Sequence, residues 1–378
     1  MGPVSLSPCY GLQFVSGLVS PLNAVPNRPT RPDRSLATAG AIAPGAWMHG
    51  PWRDALVAGL WVPFSVAAAL AYGSSRALAV VVGVTLLTSL VHQPLTLGLI
   101  YGDPAQFAVA RRVFTVFPFV IVAGVIVGRS ISLSFVAIVA GLWNAEHTLM
   151  QRYGISRIYA RKAGEIGPAC ERPMLISWLV FALAFAAADP RTPRLLDRVE
   201  LGSTNEQGVR ILQSFRPVAV VLSLVALGAV VFFTGQWWRN ERRLGRTGFT
   251  PKRRYLAATA ALFAVILVSP IVGLIGYVGA HAIEYFVIVH GSLGRRYTGA
   301  RAERGGAVGR VVRSPLRATG CVALYVMVVG AALVFVTRLV PPNVGNVVLL
   351  SVGGMHVFFD GFIWKLRRPV VARSVAAG

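Results

Sequence analysis

Three lysines, three cysteines and 14 acidic residues in 378 positions are what this chain has least of, and each scarcity removes a class of explanation. The cysteines (Cys9, Cys170 and Cys321) lie far apart and form no CxxC pair. They provide neither a disulfide framework nor a thiolate metal site. Charged residues make up only 13% of the chain, whereas a soluble domain carries roughly a quarter. No stretch has the composition of a soluble domain, so length alone does not argue for two or three of them. The first 50 residues lack the basic start and continuous apolar core of a signal peptide, so none is expected there. That segment is rich in Pro, Ser and Ala, with "NRPTRPDR" at 27–34, and reads as a disordered cytoplasmic tail over 1–53. No internal repeat has a convincing period, and the 190–216 loop is too short for a domain.

What is abundant is apolar. Hydrophobic residues reach 55% and the mean hydropathy is +0.62. A membrane span needs about 20 mostly apolar residues. Ten such stretches are expected, at 54–72, 77–100, 113–128, 131–150, 173–189, 217–238, 254–270, 271–290, 318–339 and 344–364. The division inside 254–290 rests on length, because an unbroken helix there would run roughly 55 Å through a core of about 30 Å. Ser269-Pro270 supplies the break. The expected fold is an all-α polytopic bundle over 54–364, with a basic cytoplasmic tail at 365–378.

Charge tests the count independently. The net charge is +23, from 37 basic residues, all but three of them Arg. In a soluble protein this would point to nucleic acid. Here the basic residues lie between the apolar runs, and 29 of the 37 fall in alternate connecting segments. That asymmetry matches the positive-inside rule, with both termini cytoplasmic and the basic loops touching anionic lipid. Nucleic acid is not an expected partner. Scarce Lys with abundant Arg, Ala, Gly and Val points to a GC-rich bacterium, hence to its cytoplasmic membrane.

Ionisable groups inside a bilayer are costly and mark function by default. Of six histidines, His92, His147, His281 and His356 fall inside expected spans, on the second, fourth, eighth and tenth. Even-numbered spans run in one direction, and each histidine lies in the C-terminal half of its span, so all four are expected in the cytoplasmic leaflet. Away from the span ends, the only acids are Glu146, Glu284 and Asp360, and no Lys or Arg is expected there. Glu284 follows His281 by three residues and Asp360 follows His356 by four, spacings that share a helical face. Gln151 stands four after His147, whereas Glu146 is adjacent to it and faces elsewhere. Each group has a plainer reading taken alone. His92 precedes Gln93-Pro94 and can serve the carbonyl that proline frees; Glu284 can pair with a basic residue, and Asp360 can lie near Lys365. Four histidines at one depth with every acid alongside argue for one shared polar site.

Imidazole is the commonest metal-binding side chain, and His with carboxylate suits iron, zinc, copper or manganese. Haem held by pairs of histidines is an alternative. The stretches "WNAEHTLMQRYGISRIYARK" (143–162), "HAIEYFVIVHG" (281–291) and "MHVFFDGFIWKLRR" (355–368) resemble motifs of a family of bacterial multi-pass membrane proteins, with patterns WNxxHxxxQxYG and HxxxDGxIWK. In layout the chain also resembles the membrane-embedded β-carotene dioxygenases, which implies a histidine-held iron acting on an apolar substrate within the bilayer. It is similar, more loosely, to membrane fatty-acid desaturases and hydroxylases, although their HxxxH and HxxHH boxes do not occur here. The expectation is a metal-dependent membrane oxidoreductase of the oxygenase or hydroxylase type, acting on a lipid or isoprenoid with a redox partner. His92, His147, His281 and His356 are the expected ligands. Glu284 and Asp360 ligate or orient, and Gln151 or Glu146 positions ligands or moves protons. The alternatives are an acyl- or glycosyltransferase using a His/Asp pair, a proton-coupled transporter, and a scaffold in which these groups are interhelical hydrogen bonds.

Overall fold

The computed structural model describes residues 47–165, 170–192, 203–244, 250–297, 306–311 and 315–364. The expected tails, 1–53 up to residue 46 and all of 365–378, lie outside the described residues. Among those described there are thirteen helices and no strand. They are α1 (Pro51–Ala58), α2 (Trp61–Ala71), α3 (Ser75–Tyr101), α4 (Pro104–Ala108), α5 (Arg111–Ile131), α6 (Leu133–Lys162) and α7 (Glu171–Ala188). There follow α8 (Ser203–Arg243), α9 (Pro251–Val268), α10 (Pro270–Arg296), α11 (Gly306–Val311), α12 (Pro315–Leu339) and α13 (Pro342–Ile363). Eight segments, α1 and α2 counted together, are long and apolar enough to cross a membrane. The protein is thus an all-helical membrane protein.

Local chemistry sets the boundaries. Proline stands in the first turn of α1, α4, α9, α10 and α13, where its missing N–H has no partner to lose. Ser74, Asp103, Ser132 and Thr250 cap α3, α4, α6 and α9 through their side-chain oxygens. The chain breaks between α9 and α10 at Ser269-Pro270. The helix α8 begins at Ser203, inside the expected 190–216 loop and ahead of the expected span 217–238, and α6 runs on from 150 to Lys162 before Gly164, at φ +73°, turns it off. The Glu165 N–H reaches back to the Ala160 carbonyl at 2.9 Å, closing the end as a left-handed cap.

The most enclosed span is α10. It can lie close to α2 because Gly276 and Gly279 carry no Cβ, which would otherwise meet Ser65 and Phe64. Around it α3, α6 and α13 pack side by side, and α5 backs α13, with Phe117 stacked on Phe358 at 3.6 Å. By contrast α5 and α12 leave most of their apolar faces uncovered, as lipid-facing helices do.

Two expectations about charge and sulfur change. Lys252 and Arg253, read from sequence as part of a lipid-touching basic loop, are taken up inside the protein. Lys252 Nζ is held by Glu165 at 2.6 Å, by Glu171 at 3.0 Å and by Glu241, and Arg253 Nε donates to Glu241 at 3.0 Å. This clamp ties α6, α7, α8 and α9 together at one end of the bundle. Cys170 is disulfide-bonded, a bond that the spacing of three distant cysteines did not announce.

Candidate metal centre

Four helices each bring one histidine to a common point. His92 comes from α3, His147 from α6, His281 from α10 and His356 from α13. His92, His281 and His356 are 0% exposed and His147 is 8% exposed. The His92 and His147 Nε2 atoms each stand 3.1 Å from His356 Nε2. The His281 ring lies edge-on to both neighbours, with centroids 4.8 Å from His92 and 5.1 Å from His147. Ligand-capable atoms of His92, His281 and His356 lie within 4.8 Å of one another, and so do those of His147, His356 and Asp360.

Hydrogen-bond bookkeeping fixes the orientation of His356. The Thr96 hydroxyl has one proton and donates it to Asp360 Oδ1 at 2.8 Å. It therefore accepts from His356 Nδ1 at 2.7 Å, and it stands 2.6 Å from the Tyr285 hydroxyl, whose single proton also faces Asp360 Oδ1 at 3.1 Å. His356 carries its proton on Nδ1, so Nε2 presents a lone pair to His92 and His147. One lone pair accepts one well-aligned hydrogen bond, and here two imidazole nitrogens compete for it. Among the described residues, neither ring nitrogen of buried His281 has a hydrogen-bond partner. Buried polar nitrogens without partners are uncommon. A cation bound at about 2.0–2.1 Å to two nitrogens would place them about 2.9–3.4 Å apart in octahedral or tetrahedral geometry, which spans the observed contacts. Thr96, Tyr285 and Asp360 then form the outer layer that holds a ligand ring at its far nitrogen.

The carboxylates divide. Asp360 is inside the site, with Oδ2 3.7 Å from His147 Nε2 and 3.9 Å from His356 Nδ1. Glu284 turns away from the rings to Arg152 at 3.1 Å, and it accepts from Gln151 Nε2 at 3.3 Å. Gln151 also donates to the His281 carbonyl at 3.1 Å, so it ties α6 to the backbone of α10 beside a candidate ligand. Glu146 is exposed on the outer side of α6 and does not join the cluster, as its adjacency to His147 implied.

Arg152 corrects the expectation of spans free of basic residues. Because α6 continues to Lys162, Arg152 sits within the packed bundle, fully buried, paired with Glu284 and donating to Thr259 at 3.2 Å. Thr96 and Tyr285 were also not expected at the site. A signal for both exists in the sequence: each stands four residues after a histidine, as Gln151 and Asp360 do. His92/Thr96, His147/Gln151, His281/Tyr285 and His356/Asp360 are four copies of one spacing.

Compared with protein-family models, curated proteins and solved structures, the chain matches none.

Proposed function

We propose that this protein is a metal-dependent oxidoreductase of the oxygenase or hydroxylase type, embedded in a bacterial cytoplasmic membrane, acting on a lipid or isoprenoid that reaches it from within the bilayer. The observation that carries this reading is the meeting of three imidazole Nε2 atoms at 3.1 Å contacts beside a fourth histidine with no hydrogen-bond partner among the described residues. In the proposed topology ten spans place both termini in the cytoplasm, with α6 and α9 completing the set. His92, His147, His281 and His356 hold iron or another divalent metal, and Asp360 Oδ2 ligates or orients from the His147 side. A bound iron would supply dioxygen activation.

The chain's own contribution is positioning and exclusion. Thr96 keeps the His356 proton on Nδ1, and Gln151 pins α6 against the His281 backbone. The Arg152–Glu284 pair neutralises itself close by. Among the four histidines and Asp360, only His147 and Asp360, at 8% and 6%, have any exposure, so an apolar substrate approaches on their side while the remaining walls exclude water. The proposed partners are membrane lipids, the apolar substrate and a reductant, not nucleic acid.

The test is a nanodisc preparation loaded with iron and supplied with lipid and isoprenoid extracts under isotopically labelled dioxygen. Label entering an apolar product, dependent on metal and lost in His356→Ala, supports the reading. Metal-loaded protein that incorporates none contradicts it. The separation of 3.7 Å between His147 and Asp360 favours one second reading, a transferase in which His147 is the general base oriented by Asp360. It requires no metal, and only those two residues should then matter.

A further inference from the structure

One aromatic path leaves the histidine site. The Tyr285 ring lies 5.2 Å from His92 and 5.3 Å from His356, and on its other side stands Trp364 at 6.1 Å, edge to face. Trp364 closes α13 and forms part of a narrow cleft with Leu99, Gln106, Arg296 and Tyr297 at the Arg-rich end of α10. Tyr285 is fully enclosed, and its hydroxyl has two routes for a proton to one acceptor. It faces Asp360 Oδ1 directly at 3.1 Å, and reaches the same oxygen through Thr96 in steps of 2.6 and 2.8 Å. A structural tyrosine needs one hydrogen-bond partner. This one has its ring against two candidate ligands, its proton against a carboxylate, and an indole between it and the surface cleft.

We propose that Tyr285 and Trp364 form a one-electron relay between the histidine site and the cleft at Arg296, with Asp360 holding the phenolic proton while Tyr285 is oxidised. The balance is simple. Tyr285 would give one electron to a redox-active metal held by the histidines and previously oxidised by dioxygen, and its O–H proton to the Asp360 carboxylate, leaving a neutral phenoxyl. A one-electron carrier of the iron–sulfur or flavin class at the cleft then refills it through Trp364, and the proton returns from Asp360. The edge contacts keep both hops short, so the electron need not cross the apolar bundle. The carboxylate is essential, because a phenol that loses an electron but keeps its proton leaves a buried cation.

The inference rests on the redox reading of the site, but its test does not need a metal there. Detergent-purified protein is oxidised by flash-generated tris(bipyridine)ruthenium(III), and the radical is followed by transient absorption and freeze-trapped electron paramagnetic resonance. The metal content of the same samples is measured separately. The wild type should give a tyrosyl signal, lost in Tyr285→Phe, which retains the ring and removes only the hydroxyl. Trp364→Phe should slow its appearance, and deuterated solvent should slow it in the wild type because proton and electron move together. A full tyrosyl signal in Tyr285→Phe would overturn the relay, as would a wild-type rate in Trp364→Phe or the lack of any solvent isotope effect. If Tyr285→Phe does not fold, the Trp364 and isotope measurements still decide. A protein without metal that shows the relay would defeat the metal-centre reading alone.

Discussion

His147 Nε2 and His356 Nε2 lie 3.1 Å apart although 209 residues of chain separate them, and His92 Nε2 stands at the same distance from the same atom. Because Thr96 accepts a hydrogen bond from the His356 Nδ1–H, the meeting atom presents a lone pair. A proton shared between imidazoles can satisfy one of these contacts, whereas a cation can satisfy all of them.

Thr96 is the hub of the outer layer. Thr96→Val keeps the shape and removes the hydroxyl, leaving His356 Nδ1 and Asp360 without this partner. The expected loss is about 1–3 kcal/mol of stability for the stranded polar groups. Metal affinity should fall about 10–100-fold, as for other outer-layer losses. Thr96→Ser should retain most of both. Competition with a chelator and thermal unfolding in detergent measure the two effects; an unaltered affinity in Thr96→Val would remove Thr96 from the setting of the site.

Arg152 and Glu284 form a fully buried pair. Removing one charge strands the other, so Arg152→Met should lower stability by about 3–5 kcal/mol. Combining it with Glu284→Leu should recover most of that loss, since well-packed apolar side chains of similar size replace buried pairs at little cost. Thermal unfolding of the two singles and the double reads the coupling. Simple additivity would show that the pair does not interact.

Glu146 provides the contrast. It was read with the other in-span acids from sequence alone, yet its side chain is exposed on the far side of α6. Glu146→Ala should leave metal content unchanged and stability within about 0.5 kcal/mol, as for other surface substitutions. Loss of metal in this variant would place the site elsewhere.

The Lys252 clamp, at the mouth of α9 and outside the expected span 254–270, makes a pH prediction. Burial pulls the Lys252 pKa down, but Glu171, Glu165 and Glu241 outweigh it and leave it raised. A folded pKa raised above the unfolded one stabilises the fold fully below the unfolded value, about 10.4, and that stability is lost as pH rises through the folded pKa. The wild-type clamp should therefore hold through neutral pH and weaken only under strong alkali. In Lys252→Met that alkaline loss should disappear, so as pH rises above about 10 the wild type should lose more melting temperature than the variant. Equal losses in the two would show that the clamp carries no charge balance.

How much of this was legible follows from which interactions are local. Hydropathy and the Ser269-Pro270 break marked the helices because burial in lipid is read along the chain. The pairing of His281 with Glu284 on one face was equally local, but where Glu284 points was not: Arg152 draws it away from the rings, and Arg152 looked like a loop residue. The helix end at 150 was placed where apolar character fades, whereas α6 continues because its polar residues have partners inside the protein. Lys252 misled for the same reason, since its three carboxylates come from distant segments. Thr96 and Tyr285 passed unnoticed as ordinary helix residues. Their meaning lay in a spacing of four after a histidine, repeated on four helices, which only the convergence of those helices turns into a site.

The measurement that tests the central claim most directly is the metal content of the detergent-purified protein beside a His281→Ala/His356→Ala double variant. The prediction is near-stoichiometric iron or another divalent metal in the wild type, lost in a variant that still inserts into the membrane and runs as a folded species. A well-folded wild type that binds no metal when offered iron, zinc or manganese would contradict it, as would a double variant that retains the wild-type content.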